Sequence, residues 1–173
     1  MRLHALAHAS VVAWARGERA PALPELPGDV RAGVFVTLYH RGELRGCLGH
    51  LEGDRPVREL VLQMAMASAR DDPRFPPVGP DELNDLTVEV SLLTTPVPAR
   101  AEEVEPGRHG VIVRRGRQQG VLLPKVATEM GWGREQLLAG VCRKAGLPRD
   151  AWRESPTQLL VFEAQVIGAP ADP

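Results

Sequence analysis

The sequence predicts an α+β fold, a mainly antiparallel sheet flanked by helices. Three observations carry that expectation. Apolar and polar residues alternate from Thr87 to Leu93, the period of a half-buried strand. Apolar residues recur at helical spacing near the N-terminus, after Pro56 and after Arg134. Strands and helices follow one another without a regular strand–helix–strand rhythm, which favours antiparallel pairing. With 173 residues the chain can bury a core without disulfide or metal staples. One domain over 1–173 is expected, with two lobes, about 1–95 plus the C-terminal strand and about 105–150.

Leu3 to Arg16 is helix-like, with Leu3, Leu6, Ala7, Val11 and Trp14 near one face and Gly17 as its stop. Pro21, Pro24, Pro27 and Gly28 then form an extended connector. Gly33 to His40 reads as a strand, with a turn at Arg41-Gly42 and a return strand through Cys47. A two-residue turn sets Val36 opposite Cys47 and Leu38 opposite Arg45.

Asp54 is placed to cap the next helix, with Pro56 in its first turn and Val57, Leu60, Val61, Met64, Ala65 and Ala67 or Ser68 as its stripe. Pro73 helps to end that helix, and Phe75-Pro76-Pro77 is a stiff loop. Pro80 to Leu83 suits one short helical turn. In the strand Thr87–Leu93, Val88, Val90 and Leu92 oppose Thr87, Glu89 and Ser91. A connector from Pro96 to Pro106 divides the lobes. Gly110 to Val113 begins a second hairpin, with Arg114 to Arg117 as its tip and Gly120 to Leu123 as its return. Helices are expected from Pro124 to about Met130 and from Arg134 to Ala145, with Leu137, Leu138, Val141 and Cys142 inward and Gly146 as the stop. Thr157 to Ile167 is the last strand.

Composition narrows the function classes. The net charge of -1 provides no overall field to recruit nucleic acid or an anionic membrane. The 2 cysteines, Cys47 and Cys142, are too few for a disulfide framework and suit a reducing compartment. No apolar run reaches the length of a membrane span. The first helix is amphipathic, unlike a signal peptide, so a cytoplasmic protein is expected. Gly-rich nucleotide loops and serine-nucleophile elbows are absent.

The most telling stretch is Leu44-Arg45-Gly46-Cys47-Leu48-Gly49. Regular alternation sends Arg45 and Cys47 to one face. Gly46 and Gly49 remove side chains, so a ligand or another backbone can approach closely. Cys47 reads as a nucleophile or redox thiol activated by a neighbouring guanidinium, or as a small buried hydrophobe. His50 reaches it only if the strand bends at Gly49. Arg45 and Arg74 read as a clamp for a carboxylate or phosphate, or as internal partners of Asp71, Asp72, Glu52 or Glu89. Glu89 is a general-base candidate with Ser91 on the same strand face, against the alternative of a solvated face.

His4 and His8 stand four apart on a helix, yet no third ligand is near in sequence, so no metal is expected. Arg114, Arg115 and Arg117 lack interleaved aromatics, which favours a solvated turn over nucleic-acid contact. Trp132 and Trp152 are expected to pack against helices.

Seven blocks in order make the chain resemble the AMMECR-type domain family. They are Gly33-Val34-Phe35-Val36, Leu44–Gly49, Asp72-Pro73-Arg74-Phe75-Pro76-Pro77, Glu89-Val90-Ser91, Leu123-Pro124-Lys125-Val126-Ala127, Gly131-Trp132 and Lys144-Ala145-Gly146-Leu147. Leu48 stands where members often carry Ile, and Lys125 where Gln is common. The resemblance implies an α+β fold with a larger and a smaller lobe and a cleft lined by the arginine-glycine-cysteine motif. It implies no settled activity and no cofactor. It further implies association with a Memo-like protein and a radical S-adenosylmethionine protein. The expected site therefore comprises Arg45, Gly46, Gly49, Arg74 and Ser91 as ligand contacts for a small anion or a partner's tail, and Cys47 and Glu89 as catalytic candidates.

Overall fold

The structure, a computed structural model, describes residues 2–25 and 30–168. Pro27 and Gly28 of the expected connector lie outside the described residues. The chain divides into two compact units, Met1–Leu93 with Gln165–Pro173, and Thr94–Ala164.

The first unit begins with helix α1 (Arg2–Arg16), which stops at Gly17 in the left-handed region, φ 67. Strands β1 (Gly33–His40) and β2 (Glu43–His50) form the expected hairpin. Arg41 and Gly42 both have positive φ, 53 and 82, the backbone of a two-residue hairpin turn that follows the strands' twist. Helix α2 (Val57–Arg70) follows, then a 3-10 turn (Pro80–Asp85) and strand β3 (Leu86–Leu93). The sheet runs β2-β1-β3-β8, where β8 is Ala164–Ile167. Val34, Val36, Leu38, Val88 and Val90 on its inner face bury against Leu6 and Val11 of α1 and Leu60, Val61 and Ala65 of α2.

Two expectations for this unit are corrected. Near the turn the hairpin register is as expected, with His40 opposite Glu43 and Tyr39 opposite Leu44. The register then slips by one between Leu38 and Tyr39, so Cys47 faces Thr37 rather than Val36, and Leu38 faces Gly46 rather than Arg45. Arg45 is the extra residue of a β-bulge, which breaks strict alternation. The second correction concerns Asp54. Pro56 takes the N-cap position of α2 without a side-chain cap, and Asp54 pairs with His50 and Arg55 instead.

The second unit holds the sheet β4-β7-β5-β6, built from Val97–Pro98 (β4), Gly110–Arg115 (β5), Gln118–Leu122 (β6) and Gln158–Phe162 (β7). Helices α3 (Pro124–Met130) and α4 (Arg134–Lys144) complete it. Val111, Val113, Leu137, Leu138, Val141 and Cys142 form its core. Burial pushes the Cys142 thiol up from its ordinary pKa. The expected arginine tip is narrower than 114–117, because Arg114 and Arg115 belong to β5 and the turn is Gly116-Arg117. The expected final strand, Thr157 to Ile167, is two strands. Glu163 breaks it, its N–H donating to Thr94 Oγ1 and its carbonyl accepting from Thr94 N, each at 2.9 Å.

Among the described residues no helix is long and apolar enough to cross a membrane. Gly46 lies hard against α2, since a Cβ there would overlap the backbone carbonyl of Ser68. Gly46→Ala is expected to destabilise the protein by about 2 kcal/mol, read as a lower denaturant midpoint at unchanged m-value. An unchanged midpoint would show that α2 does not press on β2.

Candidate functional site

The site is organised around Asp72, just past the end of α2, whose side chain is only 2% exposed. Strand β2 is the edge of its sheet, so half its amides have no neighbouring strand. The N–H of Cys47 donates to Asp72 Oδ2 at 2.8 Å. Arg74 donates its own backbone N–H to Oδ1 at 3.1 Å, its Nε to Oδ1 at 3.0 Å and its Nη2 to Oδ2 at 2.7 Å. One carboxylate thus ties the strand edge to the loop after α2. Arg74, and after it the two backbone N–H groups, hold the Asp72 carboxyl down at a pKa of about 2 against the opposing effect of burial.

Ser68 of α2 performs a second tie. Its hydroxyl donates to the Val36 carbonyl at 2.8 Å and accepts from Leu48 N at 2.9 Å. Val36 and Leu48 are direct cross-strand partners, so the one hydroxyl bridges both strands of the hairpin to α2.

Arg45 is held by a carboxylate that the sequence reading did not weigh. Its Nε and Nη2 donate to Glu82 of the 3-10 turn at 2.6 and 2.9 Å, and Nη1 and Nη2 donate to the Pro76 and Pro77 carbonyls at 2.9 and 3.4 Å. The pair is largely buried, and Arg45 holds the Glu82 carboxyl below its usual range. Glu82 also accepts from the Gly79 N–H at 2.9 Å. Arg74 takes Asp72, one of the partners expected for it. Its side chain is 53% exposed, and Nη2 also donates to the Cys47 carbonyl at 3.4 Å. The Phe75 ring lies 5.9 Å from the Arg45 guanidinium and 5.4 Å from that of Arg74.

The bulge gives Arg45 and Cys47 different partners. Arg45 reaches the proline loop and the 3-10 turn, whereas the half-buried Cys47 has its Sγ 3.4 Å from Thr37 Oγ1. Gly46 admits the backbone of α2, and the Phe35 ring covers Gly49. Thr37, Glu89 and Ser91 lie on the outer face of the sheet, and all are buried. The expectation of a solvated face at Glu89 and Ser91 is therefore corrected. His50 sits with Asp54 at 2.9 Å rather than at Cys47.

His4, Arg114, Arg115 and the two tryptophans have plain structural partners. His4 Nε2 is 2.9 Å from the Val88 carbonyl, and no group of three or more His, Cys, Asp or Glu able to hold a metal occurs among the described residues. Arg114 bonds Gln119, and Arg115 bonds Glu154. Trp132 and Trp152 pack against the second core.

Asp72, Ser68, Glu82 and Thr37 are the site residues that sequence reasoning missed as organisers. Two had legible signals. A serine on a buried helical stripe needs an internal partner. The run Gly79-Pro80-Asp81-Glu82 fits a short helix whose third residue reaches back to the cap.

An AMMECR1 family model matches residues 4–167, so the chain belongs to that family. A protein of Methanothermobacter thermautotrophicus is 45% identical over 161 residues, 87% of this chain and 84% of that one. A Thermococcus gammatolerans protein is 41% identical over 175 residues, 93% of this chain and 85% of the relative. The crystal structure of the uncharacterised protein PH0010 from Pyrococcus horikoshii is similar with a TM-score of 0.90 and 37% identity, over 95% of this chain and 88% of that one. The chain is thus an AMMECR1 domain with the α+β fold read from its sequence.

The Asp72 ties make an acid-sensitivity prediction. Its folded pKa, about 2, lies below the ordinary 3.8, so its stabilisation is full above about pH 4 and is lost as pH falls towards 2. Asp72→Asn is expected to cost about 2 kcal/mol at pH 6, with the gap to wild type narrowing to roughly a third by pH 2.5 in denaturant titrations. A gap that stays constant over that range would remove Asp72 as the anchor.

Proposed function

We propose that this chain is a binding module that recognises a small anionic ligand, or the acidic tail of a partner protein, beside Cys47. The observation that carries this reading is the condition of Arg74. Asp72 fixes its Nε and Nη2, while the side chain is half exposed and Nη1 has no hydrogen-bond partner among the described residues. A guanidinium already held in place loses little freedom when it binds. In this reading a carboxylate or phosphate meets Arg74 Nη1, with the half-buried Cys47 thiol next to it and the buried Thr37 hydroxyl behind that thiol. Arg45 and Gly46 frame the platform rather than touch the ligand, and Gly49, under the Phe35 ring, and the buried Ser91 support the same sheet face from behind. The cleft implied by the family likeness is formed by these residues with the Asp72–Pro77 loop. The protein then works in the cytoplasm, where its two free thiols stay reduced. Its partners are the Memo-like and radical S-adenosylmethionine proteins implied by the same likeness.

A titration with sodium phosphate and sodium acetate, followed by amide and arginine side-chain NMR, tests this reading. Saturable shifts at Arg74 and Cys47 are expected, weakened about tenfold in Arg74→Lys, which keeps the charge and loses the fork. Arg45→Lys is expected to lower Tm while leaving the affinity of the folded protein within twofold. Equal affinity in wild type and Arg74→Lys sinks the proposal.

One observation favours a second, enzymatic reading. Cys47, Thr37 and Glu89 are direct partners across three adjacent strands, so thiol, hydroxyl and carboxylate stand in one row. In this reading Cys47 is the nucleophile and Glu89 the base, acting on a substrate of the radical S-adenosylmethionine pathway. Iodoacetamide labelling of Cys47 from pH 5 to 9 is then expected to be several-fold slower in Thr37→Val and Glu89→Gln near neutral pH. An ordinary thiol rate, unchanged in both variants, would eliminate the enzyme and leave the binding module standing.

A further inference from the structure

The loop that carries Arg74 turns little polar backbone to water. Over residues 73–77 every backbone N–H is either missing or bound. Pro73, Pro76 and Pro77 have none. The Arg74 N–H donates to Asp72 Oδ1 at 3.1 Å, and the Phe75 N–H to the Asp72 carbonyl at 3.1 Å. The carbonyls of Pro76 and Pro77 are taken by Arg45. The three prolines are nevertheless exposed and the Phe75 ring is half-buried, so the loop offers apolar surface to solvent. The open donor edge in that surface is Arg74 Nη1, on a guanidinium 5.4 Å from the Phe75 ring centroid.

These facts decide between kinds of anion. Phosphate sites are built from several backbone N–H groups or several cations, and this loop offers neither. The Arg74 charge is balanced by Asp72 at 2.7 Å, and the Arg45 charge by Glu82 at 2.6 Å. A dianion therefore finds little net attraction. A single carboxylate needs only the one edge, and an apolar group joined to it covers surface that water otherwise wets.

We propose that the ligand of the Arg74 site is a monocarboxylate carried on an aromatic group, with Phe75 as the residue that selects it. The inference rests on the anion-binding reading above and names its ligand class. The carboxylate accepts from Arg74 Nη1, and the aromatic group lies against the open part of the Phe75 ring and the neighbouring prolines. Covering that surface is worth about tenfold in affinity over a bare carboxylate. A free aryl acid and the C-terminal carboxylate of a protein ending in phenylalanine share this chemistry.

The test is a titration of the full chain with sodium phenylacetate, acetate and phosphate, read on the Arg74 Nε–H signal. Phenylacetamide is the uncharged control, and the peptide acetyl-Ala-Ala-Phe represents a protein end. Phenylacetate or the peptide is expected to bind about tenfold more tightly than acetate and phosphate, and the tighter of the two names the source. In Phe75→Ala that advantage is expected to vanish while acetate affinity stays within twofold. Affinities no tighter than that of acetate, an advantage kept in Phe75→Ala, or equal binding of phenylacetamide overturns the proposal; the anion site itself stands as long as acetate still shifts the Arg74 signal. Absence of a saturable shift with every anion overturns both. Phe75 lies outside both apolar cores, and the comparison of anions in the wild type needs no variant.

Discussion

The interaction on which the rest of the site depends is the burial of the Asp72 carboxylate against the amide of Cys47 and the guanidinium of Arg74. A carboxylate withdrawn from water needs a cation and hydrogen-bond donors, and here it has both. Its position is dictated by α2, which ends at Arg70, and by Pro73, which turns the chain back over the sheet. The same contact satisfies an amide that an edge strand otherwise leaves bare. The arginine-glycine-cysteine strand is thereby closed to pairing by another strand and held at a defined distance from the proline loop.

The two arginines, read from the sequence as one anion clamp, end in different electrostatic circumstances. Arg45 spends its whole fork on Glu82 and on two proline carbonyls, in a largely buried pair. Removing either partner of such a pair strands the other, so Arg45 is bound to the architecture. Arg74 is tied on one edge and open on the other. An arginine of the second kind binds a ligand without dismantling its own support. The distinction follows from the bulge, which turns Arg45 out of the regular alternation and towards the 3-10 turn.

Much of the fold is legible because it rests on local chemistry. The stop at Gly17, the hairpin at Arg41-Gly42 and the inward stripe of α4 follow from backbone freedom and apolar period. The α2 cap and the final strand were less legible because competing partners decide them. Asp54 is drawn to His50 and Arg55, and Glu163 is taken up by Thr94. Of the site, the cation, the thiol and the glycines are visible as residues, but not which of them is free. That depends on Glu82 and Asp72, which lie 37 and 25 positions away from Arg45 and Cys47.

By itself the sequence determined the fold class, the family, most element boundaries and the residues among which a site is to be sought. Those rest on periodicity, turn chemistry and motif order, all of which act over a few neighbouring residues. Only the tertiary structure decided the register of β2, the burial of Glu89 and Ser91, and the division of labour between Arg45 and Arg74. A one-residue bulge changes every cross-strand partner beyond it, and a carboxylate brought in by folding decides which guanidinium stays available. Neither effect leaves a trace in local spacing.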